Sequence, residues 1–337
     1  MTGLIVHAAG PGVTVQDLGR AGWLAYGLSR GGAADRLALA EGAALLGQSP
    51  ALAALEMAGT GGSFGATGPI IIALTGAPMR AMLDGAPLLW NASHALAPGQ
   101  RLQIGAAMDG VYGYLHVAGG IGVPEVMGSR SAHLSAGIGA PVVAGDVLPA
   151  GPATGARAGR MLEPEPRFAG GTLRLVPSAQ TGLFSAAERA RFEETAFVRD
   201  ARGNRQGVRL AAGGAGFRPE GALTILSEII LPGDVQVTGD GAPYILLSEC
   251  QTMGGYPRIG TVVPGDLPRA AQAAPGTVLR FRFVEREAAL ADHRRRAAGQ
   301  AALAARVRPM LRDPADMGDL LSYQLIGGVT AGEDAEE

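Results

Sequence analysis

The chain has 337 residues, of which 47% are hydrophobic, so it is long enough for two packed domains. Its formal net charge is −2, so it lacks the strongly basic balance of nucleic-acid-binding proteins. It contains no lysine, since all 28 basic residues are arginines. This excludes a Walker-type phosphate loop, a Schiff-base nucleophile and biotin carried covalently on this chain.

The first 150 residues alternate short apolar runs with turn residues, a pattern typical of β-strands. The 53 glycines and 22 prolines of the chain also favour short strands and tight turns over long helices. One helix interrupts the strands, because Asp35 suits its N-cap and Gly47 with Pro50 ends it. The predicted strands are Gly3–Val6, Ile70–Leu74, Arg80–Leu83, Leu88–Trp90, Arg101–Ile104 and Val111–Val117.

A second region follows residues 149–166, where proline, glycine, alanine and arginine without periodicity predict a domain boundary. Ser185 and Glu188 form a capping-box pattern that opens a short helix. An arginine-rich helix is predicted from Glu285 to about Leu311, before an acidic end at 332–337. The predicted strands are Thr172–Val176, Thr195–Arg199, Ala222–Leu226, Val235–Val237, Tyr244–Ser248 and Val278–Val284.

These patterns predict a mainly β protein with a few short helices. Two β-rich domains are expected, at residues 1–150 and 167–284, with a helical C-terminal extension at 285–337. Cys250 is the only cysteine, so no disulfide forms within the chain, as is usual in a reducing compartment. Residues 1–16 lack the pattern of a signal peptide, and the apolar run 69–74 is too short to span a bilayer. We therefore expect a cytoplasmic protein.

Two polar strings lie in the first half. Asp17 stands beside Gln16 and Arg20 in a turn, where it can orient the guanidinium towards an anion or simply form an Asx turn with a local ion pair. Ser129 and Arg130 follow Gly128, where hydroxyls, amides and an arginine can hold phosphate or carboxylate. The same residues also describe an ordinary β-turn.

Further candidates lie in the second half. Arg205 and Arg209 flank Gly207 and alternate along a predicted strand, so both are expected on one face. Glu228 ends another predicted strand and can handle a proton or pair with one of these arginines. A plain buried salt bridge is the alternative.

The string from Glu249 to Arg258 is the strongest candidate. Gln251, Thr252 and Tyr256 surround a Gly-Gly pair and offer donors and acceptors for a neutral amide. Cys250 is not an activated thiol, because a neighbouring carboxylate raises a thiol pKa. The five histidines show no metal-ligand spacing.

Taken in order, these strings resemble the KipA family, also called allophanate hydrolase subunit 2, the biotin-dependent carboxyltransferase family and the C subunit of 5-oxoprolinase. The resemblance covers roughly residues 3–284. It rests on Thr14–Arg20, Leu74–Ala77, Val117–Ile121, Gly128–Ser131, Arg205–Leu210 and Gln251–Pro257. The chain departs from the family pattern at Asn204, Glu249, Cys250, Met253 and Arg258.

The resemblance implies a cyclophilin-like β-barrel architecture and a subunit of an ATP-dependent 5-oxoprolinase, which converts 5-oxoproline to glutamate. It also implies a KipI-like and a LamB/YcsF-like partner, with ATP shared with a partner. Carboxyl transfer from carboxybiotin to a urea-like acceptor, or non-catalytic antagonism of a KipI-like kinase inhibitor, are the alternatives. The implied catalytic residues are Glu228, Arg205 and Gln251, and the implied substrate contacts are Asp17, Arg20, Ser129, Arg130, Thr252 and Tyr256.

Overall fold

The computed structural model describes residues 2–221 and 225–311. Within these ranges the first twelve strands are β1 Gly3–Ala9, β2 Thr14–Gln16, β3 Ala54–Ala58, β4 Thr60–Ala66, β5 Ile70–Gly76, β6 Met79–Leu83, β7 Ala86–Pro87, β8 Ala92–Leu96, β9 Leu102–Ala107, β10 Tyr112–Val117, β11 Val147–Pro149 and β12 Arg160–Met161. The next ten are β13 Gly171–Val176, β14 Phe197–Asn204, β15 Gly207–Ala211, β16 Glu228–Ile229, β17 Asp234–Val237, β18 Pro243–Leu246, β19 Met253–Gly254, β20 Arg258–Val262, β21 Val278–Phe283 and β22 Arg308–Pro309. The described α-helices are α1 Arg36–Leu46, α2 Ala186–Glu194, α3 Leu267–Gln272 and α4 Arg286–Ala301, and 3-10 turns lie at Leu24–Tyr26, Leu134–Ala136, Thr181–Leu183, Pro264–Asp266 and Leu303–Arg306.

Two antiparallel sheets form the first unit. A six-stranded sheet has the order β11-β1-β4-β9-β6-β7, and a seven-stranded sheet has the order β2-β3-β10-β5-β8-β12-β22. Side chains from both sheets, such as Phe64 on one and Leu74 on the other, meet in one buried core. The central strand β10 is buried along its whole length: Leu115 faces this core, and Tyr114 faces the second unit, as the alternation of a strand requires.

Helix α1 covers the outer face of the seven-stranded sheet. The Asp35 carboxylate accepts from the amides of Leu37 (3.1 Å) and Ala38 (3.2 Å), and Gly47 ends the helix with a left-handed φ of 65°. The helix predicted from these two residues is therefore confirmed. Gly42 lies where α1 meets the sheet, and a Cβ there would overlap the His116 ring.

The second unit is a closed barrel of seven strands, in the order β13-β20-β17-β18-β15-β14-β21. Strands β13 and β21 run parallel, and the other neighbouring pairs are antiparallel. Its core is aromatic, with Phe192 of α2 against Phe197, Phe217 and Phe281 at ring-centroid distances of 4.8–5.1 Å. Ser185 caps α2 through the amide of Glu188 at 3.1 Å, as the capping box predicted.

Buried polar groups join the two units. Arg167 donates to Asp35 at 2.7 Å and grips Glu41 with both terminal nitrogens at 2.8 and 2.7 Å. Gln272 of α3 accepts from the amides of Val111 and Tyr112 and donates to Asp35 at 2.8 Å. Because each group has partners, these charges fix how the barrel sits on the first unit.

Some predicted elements differ from the structure. The predicted strand at 88–90 is wrong: β7 ends at Pro87, and the chain turns at Asn91, which has a left-handed φ of 54°, before β8 begins at Ala92. Three residues of the predicted strand 222–226 and the whole acidic end 332–337 lie outside the described residues. Helix α4 ends at Ala301, so the helix predicted to about Leu311 is too long. A 3-10 turn follows it, and Arg308 and Pro309 pair with β12 instead. In the part of the chain that is described, no helix combines the length and the apolar character needed to cross a membrane.

Candidate functional site

A cavity of about 600 Å³ lies on the outer face of the barrel. On β17 and β18 the core is filled by Val235, Val237 and Ile245, so the alternate residues Gln236 and Tyr244 point outward and line the cavity. The lining residues that carry polar side chains are Arg202, Asn204, Gln206, Ser227, Gln236, Thr238, Tyr244, Cys250, Gln251 and Tyr256. Among these described lining residues only Arg202 is charged, so the cavity presents amides and hydroxyls around one guanidinium.

The opposite wall of the cavity is a short two-stranded ribbon of β16 and β19. Gly254 allows it to approach the barrel, because a Cβ there would lie 2.5 Å from the Gln236 amide nitrogen. Ile230 anchors the ribbon in a small apolar cluster with Leu246 and Cys250. Burial raises the pKa of the Cys250 thiol to about 12, so it stays protonated and is a poor nucleophile.

A buried ionic cluster lies behind the cavity, at the junction of the two units. Arg205 binds a carboxylate from each unit: it contacts Glu56 of β3 and donates to Glu249 at 2.6 Å. Its remaining nitrogen donates to the carbonyl of Gly32 at 2.6 Å. Burial alone would lower the pKa of Arg205, but the two carboxylates outweigh it and raise the pKa above its ordinary value. Glu56 also accepts from the Tyr114 hydroxyl at 2.6 Å.

A chain of hydrogen bonds continues from Glu249 into the first unit. Ser135 donates from its amide to Glu249 at 3.3 Å, and its hydroxyl contacts the Nδ1 of His133 at 3.1 Å. The Nε2 of His133 is hydrogen-bonded to Ser29 at 2.8 Å. Burial lowers the pKa of His133, Glu249 opposes this, and Arg20 and Arg205 add to the decrease. The imidazole is therefore held neutral between a hydroxyl on each side.

Two chain segments separate the cavity from the ionic cluster. In the turn 204–207, Arg205 enters the cluster while Asn204 and Gln206 line the cavity. In the segment 248–251, Glu249 enters the cluster while Cys250 and Gln251 line the cavity. The amide of Glu249 donates to the carbonyl of Arg205 at 2.8 Å, which ties the two segments together. The cluster therefore holds the backbone from which the cavity side chains project.

Asp17 is a buried link between loops of the first unit. Its carboxylate accepts from the hydroxyls of Ser129 (2.6 Å) and Ser131 (2.5 Å) and from the amides of Gly19 (2.8 Å) and Arg130 (2.7 Å). Burial alone would raise its pKa, but these hydrogen bonds together lower the pKa below the usual value. The structure thus brings Asp17, Ser129 and Arg130 together, as hydrogen-bond partners of one another.

The predicted ion pair between Asp17 and Arg20 is wrong. Arg20 is only 1% exposed and donates to the carbonyls of Ser131 (2.5 Å) and Val126 (3.4 Å). No described residue accepts a hydrogen bond from its Nη1. The guanidinium of Arg130 binds the carbonyl of Val123 at 2.8 Å and contacts a neighbouring glutamate. Both side chains therefore stabilise loops, and within the described residues neither lines the cavity.

Arg205 and Arg209 do not share a face, contrary to the prediction. Asn204 closes a turn by accepting from the amide of Gln206 at 2.8 Å, so β15 begins only at residue 207. Arg205 lies in this turn and enters the cluster, whereas Arg209 pairs with Asp200 at 3.0 Å and contacts Asp240. The turn interrupts the alternation on which the prediction rested.

Glu228 pairs with neither of these arginines. Its carboxylate accepts from Arg258 at 2.7 Å and from Gln180 at 2.8 Å, at the edge of the ribbon. The carbonyl of Thr252 accepts from the amide of Ile230 at 3.1 Å, so this residue contributes to the pairing of the ribbon. Of the nine predicted site residues, Gln251 and Tyr256 are the two that line the cavity as the described residues define it.

Several residues of the site carry little signal in the sequence. Glu56 follows an apolar run, and its partner Arg205 lies 149 positions away. The spacing of His133 suits no metal, and no neighbouring motif marks it. Tyr244 lies within a predicted strand. Because successive side chains of a strand point to opposite faces, a buried Ile245 would have indicated that Tyr244 lies on the outer face.

Comparison with known proteins covers both units. The family described as carboxyltransferase domain, subdomain A and B, matches residues 26–283. The C subunit of 5-oxoprolinase from Escherichia coli is 34% identical over 294 residues, which is 82% of this chain and 90% of that protein.

Solved structures share the fold. TTHA0988 has a TM-score of 0.76 and 33% identity, over 84% of this chain and 56% of that one, so this chain spans about half the length of that relative. The urea amidolyase of K. lactis has a TM-score of 0.79 at 22% identity, over 93% of this chain and 21% of that one. The family match includes β3, the turn 204–207 and the segment 248–256, which build the cluster and the cavity. The chain therefore belongs to the family of the carboxyltransferase domain, subdomain A and B.

Proposed function

We propose that this chain is a subunit of an ATP-dependent 5-oxoprolinase, which converts 5-oxo-L-proline, ATP and water to L-glutamate, ADP and phosphate. The name of the E. coli relative, which is the C subunit of 5-oxoprolinase, supports this proposal. The active complex would also contain a KipI-like and a LamB/YcsF-like subunit, as the family resemblance implies.

One observation carries the proposal: the cavity combines neutral amide side chains with a single cationic group. 5-Oxoproline is a small lactam with one carboxylate, so it needs amide hydrogen bonds and one positive charge. Gln236 and Gln251 would bind the lactam NH and C=O, with Tyr256 beside them. Arg202, whose guanidinium is exposed and bound to Asp200 at 2.7 Å, would bind the carboxylate.

The chemistry requires activation, because an unstrained lactam is a poor electrophile. Attack of the lactam oxygen on the γ-phosphorus would release ADP and leave a phosphorylated imidate. Addition of water at that carbon and cleavage of the C–N bond would give the γ-glutamyl phosphate, and a second water would then release phosphate and leave glutamate. The lining residues that are described include no second cation for a triphosphate. We therefore propose that ATP binds largely on a partner.

Within this proposal the predicted catalytic residues take different roles. Gln251 touches the substrate. Arg205 is a positioning residue, because its guanidinium is fully used by Glu56, Glu249 and the carbonyl of Gly32. Glu228 stands at the edge of the ribbon, where a proton could pass between substrate and solvent once Arg258 is displaced.

The test is glutamate release by the complex reconstituted from this chain, the KipI-like subunit and the LamB/YcsF-like subunit, with 5-oxoproline and ATP. We expect kcat/KM to fall at least tenfold in Gln251→Ala, since one lost substrate hydrogen bond costs about 0.5–1.5 kcal/mol and the positioning of the substrate is also lost. The matched control is Gln103→Ala on the exposed side of β9, which should react like the wild type. Equal activity of the two variants, or no glutamate release, would overturn the proposal.

Carboxyl transfer from carboxybiotin to a urea-like acceptor is the second candidate. The fold similarity to K. lactis urea amidolyase over 93% of this chain favours it, and urea is also a small neutral amide. The biotin would have to be on another chain, since this one has no lysine. Carboxylation of urea with a biotinylated donor protein, without release of glutamate from 5-oxoproline, would favour this function. Stoichiometric binding of the KipI-like subunit without either reaction would indicate a non-catalytic antagonist.

A further inference from the structure

We propose that the apolar outer face of the ribbon is the docking surface for the partner subunit that closes the cavity. This inference rests on the proposed function. The surface, called here the ribbon face, consists of five large side chains whose exposed fractions lie between 42 and 89%, namely Leu226, Ile229, Leu231, Met253 and Tyr256.

The pairing of the ribbon brings these side chains together. Ile229 lies opposite Met253 in the register of β16 and β19. The amide of Ile225 donates to the carbonyl of Gly255 at 3.0 Å, which brings the residues beside Leu226 and Tyr256 together. Ile230 points inward and is 2% exposed, so its neighbours Ile229 and Leu231 point towards solvent.

The fold itself gives no reason for this exposure. A two-stranded ribbon has little stability of its own, and here its inner side already uses Ile230 to attach to the barrel. Apolar area left in water forgoes about 25 cal/mol per Å², and a contiguous exposed apolar patch commonly marks a protein contact. The ribbon face is therefore best explained by a partner that covers it.

The position of the ribbon indicates which partner. Ser227, Met253 and Tyr256 also line the cavity, so a protein docked on the ribbon face would place its own residues at the cavity mouth. Phosphoryl transfer needs cations near the phosphates, and Arg202 is the charged side chain that the described lining supplies. We therefore expect the partner to present an apolar contact surface flanked by basic, nucleotide-binding groups.

The solved relative TTHA0988 supports a heterologous partner. This chain corresponds to 56% of that relative, so the relative carries a further stretch of polypeptide linked to the same fold. A second copy of this chain would bring two identical cavities together and would add no nucleotide-binding cations. We therefore infer the nucleotide-binding, KipI-like subunit as the occupant of the ribbon face.

The test measures binding of the purified KipI-like subunit to the full chain by isothermal titration calorimetry, without substrate. Ile229→Asp should weaken the affinity at least tenfold, because it places a charge in an apolar contact, and Leu226→Asp should act in the same direction. Val143→Asp is the matched control, since Val143 is 57% exposed and Ile229 is 56% exposed, and its affinity should be that of the wild type. Unchanged affinity in both ribbon variants would overturn the inference, as would self-association of this chain that Ile229→Asp abolishes.

The same measurement separates this inference from the proposed function. Gln251→Ala should bind the partner normally and lose glutamate release. A complex that depends on Ile229 but releases no glutamate would overturn the proposed function and leave the docking surface intact. Loss of binding in Tyr26→Asp, whose side chain is 79% exposed in the first unit, together with normal binding in Ile229→Asp, would instead place the partner elsewhere and overturn the inference.

Discussion

Replacement of Asp17 by asparagine tests whether this residue holds the structure or contacts a substrate. The two carboxylate oxygens accept four hydrogen bonds, and two of the donors are backbone amides: Gly19 donates to Oδ1 at 2.8 Å and Arg130 donates to Oδ2 at 2.7 Å. The hydroxyls of Ser129 and Ser131 can rotate and accept a hydrogen bond from a side-chain NH2 group. A backbone N–H can only donate, so it always needs an acceptor. In either orientation of the introduced amide group, one buried backbone N–H therefore faces an NH2 group.

The expected cost follows from these contacts. A buried N–H without an acceptor costs about 2 kcal/mol, and exchanging charge-assisted for neutral hydrogen bonds at the remaining donors costs about 1 kcal/mol more. We expect Asp17→Asn to lower the free energy of unfolding by about 3 kcal/mol in urea titrations followed by circular dichroism. The control is Asp109→Asn, whose exposed carboxylate accepts from the amide of Gly110 and whose loss should cost less than about 0.5 kcal/mol.

The pH dependence gives a second readout of Asp17. Its pKa is lowered in the folded protein, so its stabilising contribution is present above the unfolded pKa and is lost as the pH falls through the folded value. The difference in free energy of unfolding between the wild type and Asp17→Asn should therefore become smaller as the pH falls below about 4. A loss of less than about 1 kcal/mol at neutral pH, combined with a raised KM for 5-oxoproline, would refute the structural role.

Three further predictions concern buried groups. Arg167→Met leaves two buried carboxylates without their cation and should lower the free energy of unfolding by about 3–5 kcal/mol in urea titration; a loss below about 1 kcal/mol would contradict it. Gly42→Ala should lower the free energy of unfolding by about 1–3 kcal/mol despite the better helix propensity of alanine, because its Cβ meets the His116 ring. Gly299→Ala in α4, where the Cβ meets open space, should raise it by about 0.5–1 kcal/mol. Changes of the same sign for both variants in thermal unfolding would refute this. Burial lowers the pKa of His116 to about 3, so its contribution to stability is complete above about pH 6.5 and declines towards pH 3. His116→Asn should therefore flatten the dependence of the free energy of unfolding on pH between these values. An unchanged slope would contradict this prediction.

Local sequence patterns predicted the elements whose cause is local. Asp35 and Gly47 define the ends of α1 because an N-cap carboxylate and a left-handed glycine act within a few residues. The capping box at Ser185 defines the start of α2 for the same reason. The strand predicted at 88–90 failed because the chain turns at Asn91 with a φ of 54°. The indole of Trp90 bonds instead to a carbonyl fourteen positions earlier, a contact that no local pattern contains.

The site was harder to predict because its charged residues serve long-range pairing. Arg205 and Glu249 are close in space to Glu56, which lies in the other unit. A buried arginine needs acceptors that offset its lost hydration, and the acceptors of Arg205 come from three distant segments. Sequence reading can identify such an arginine as important, but it cannot distinguish one that holds two units together from one that binds a substrate.

The division of labour between neighbouring residues resolves that ambiguity. A charge that folding takes out of water must be paired, so Arg205 and Glu249 turn towards each other and away from the cavity. Their neighbours Gln206 and Gln251 carry no charge and can stay exposed to the cavity without such pairing. The charged residues therefore fix the backbone, and the neutral amides beside them are left free for a ligand. If the proposed function is right, mutations of the ionic cluster should change protein stability first, and mutations of the adjacent amides should change activity first.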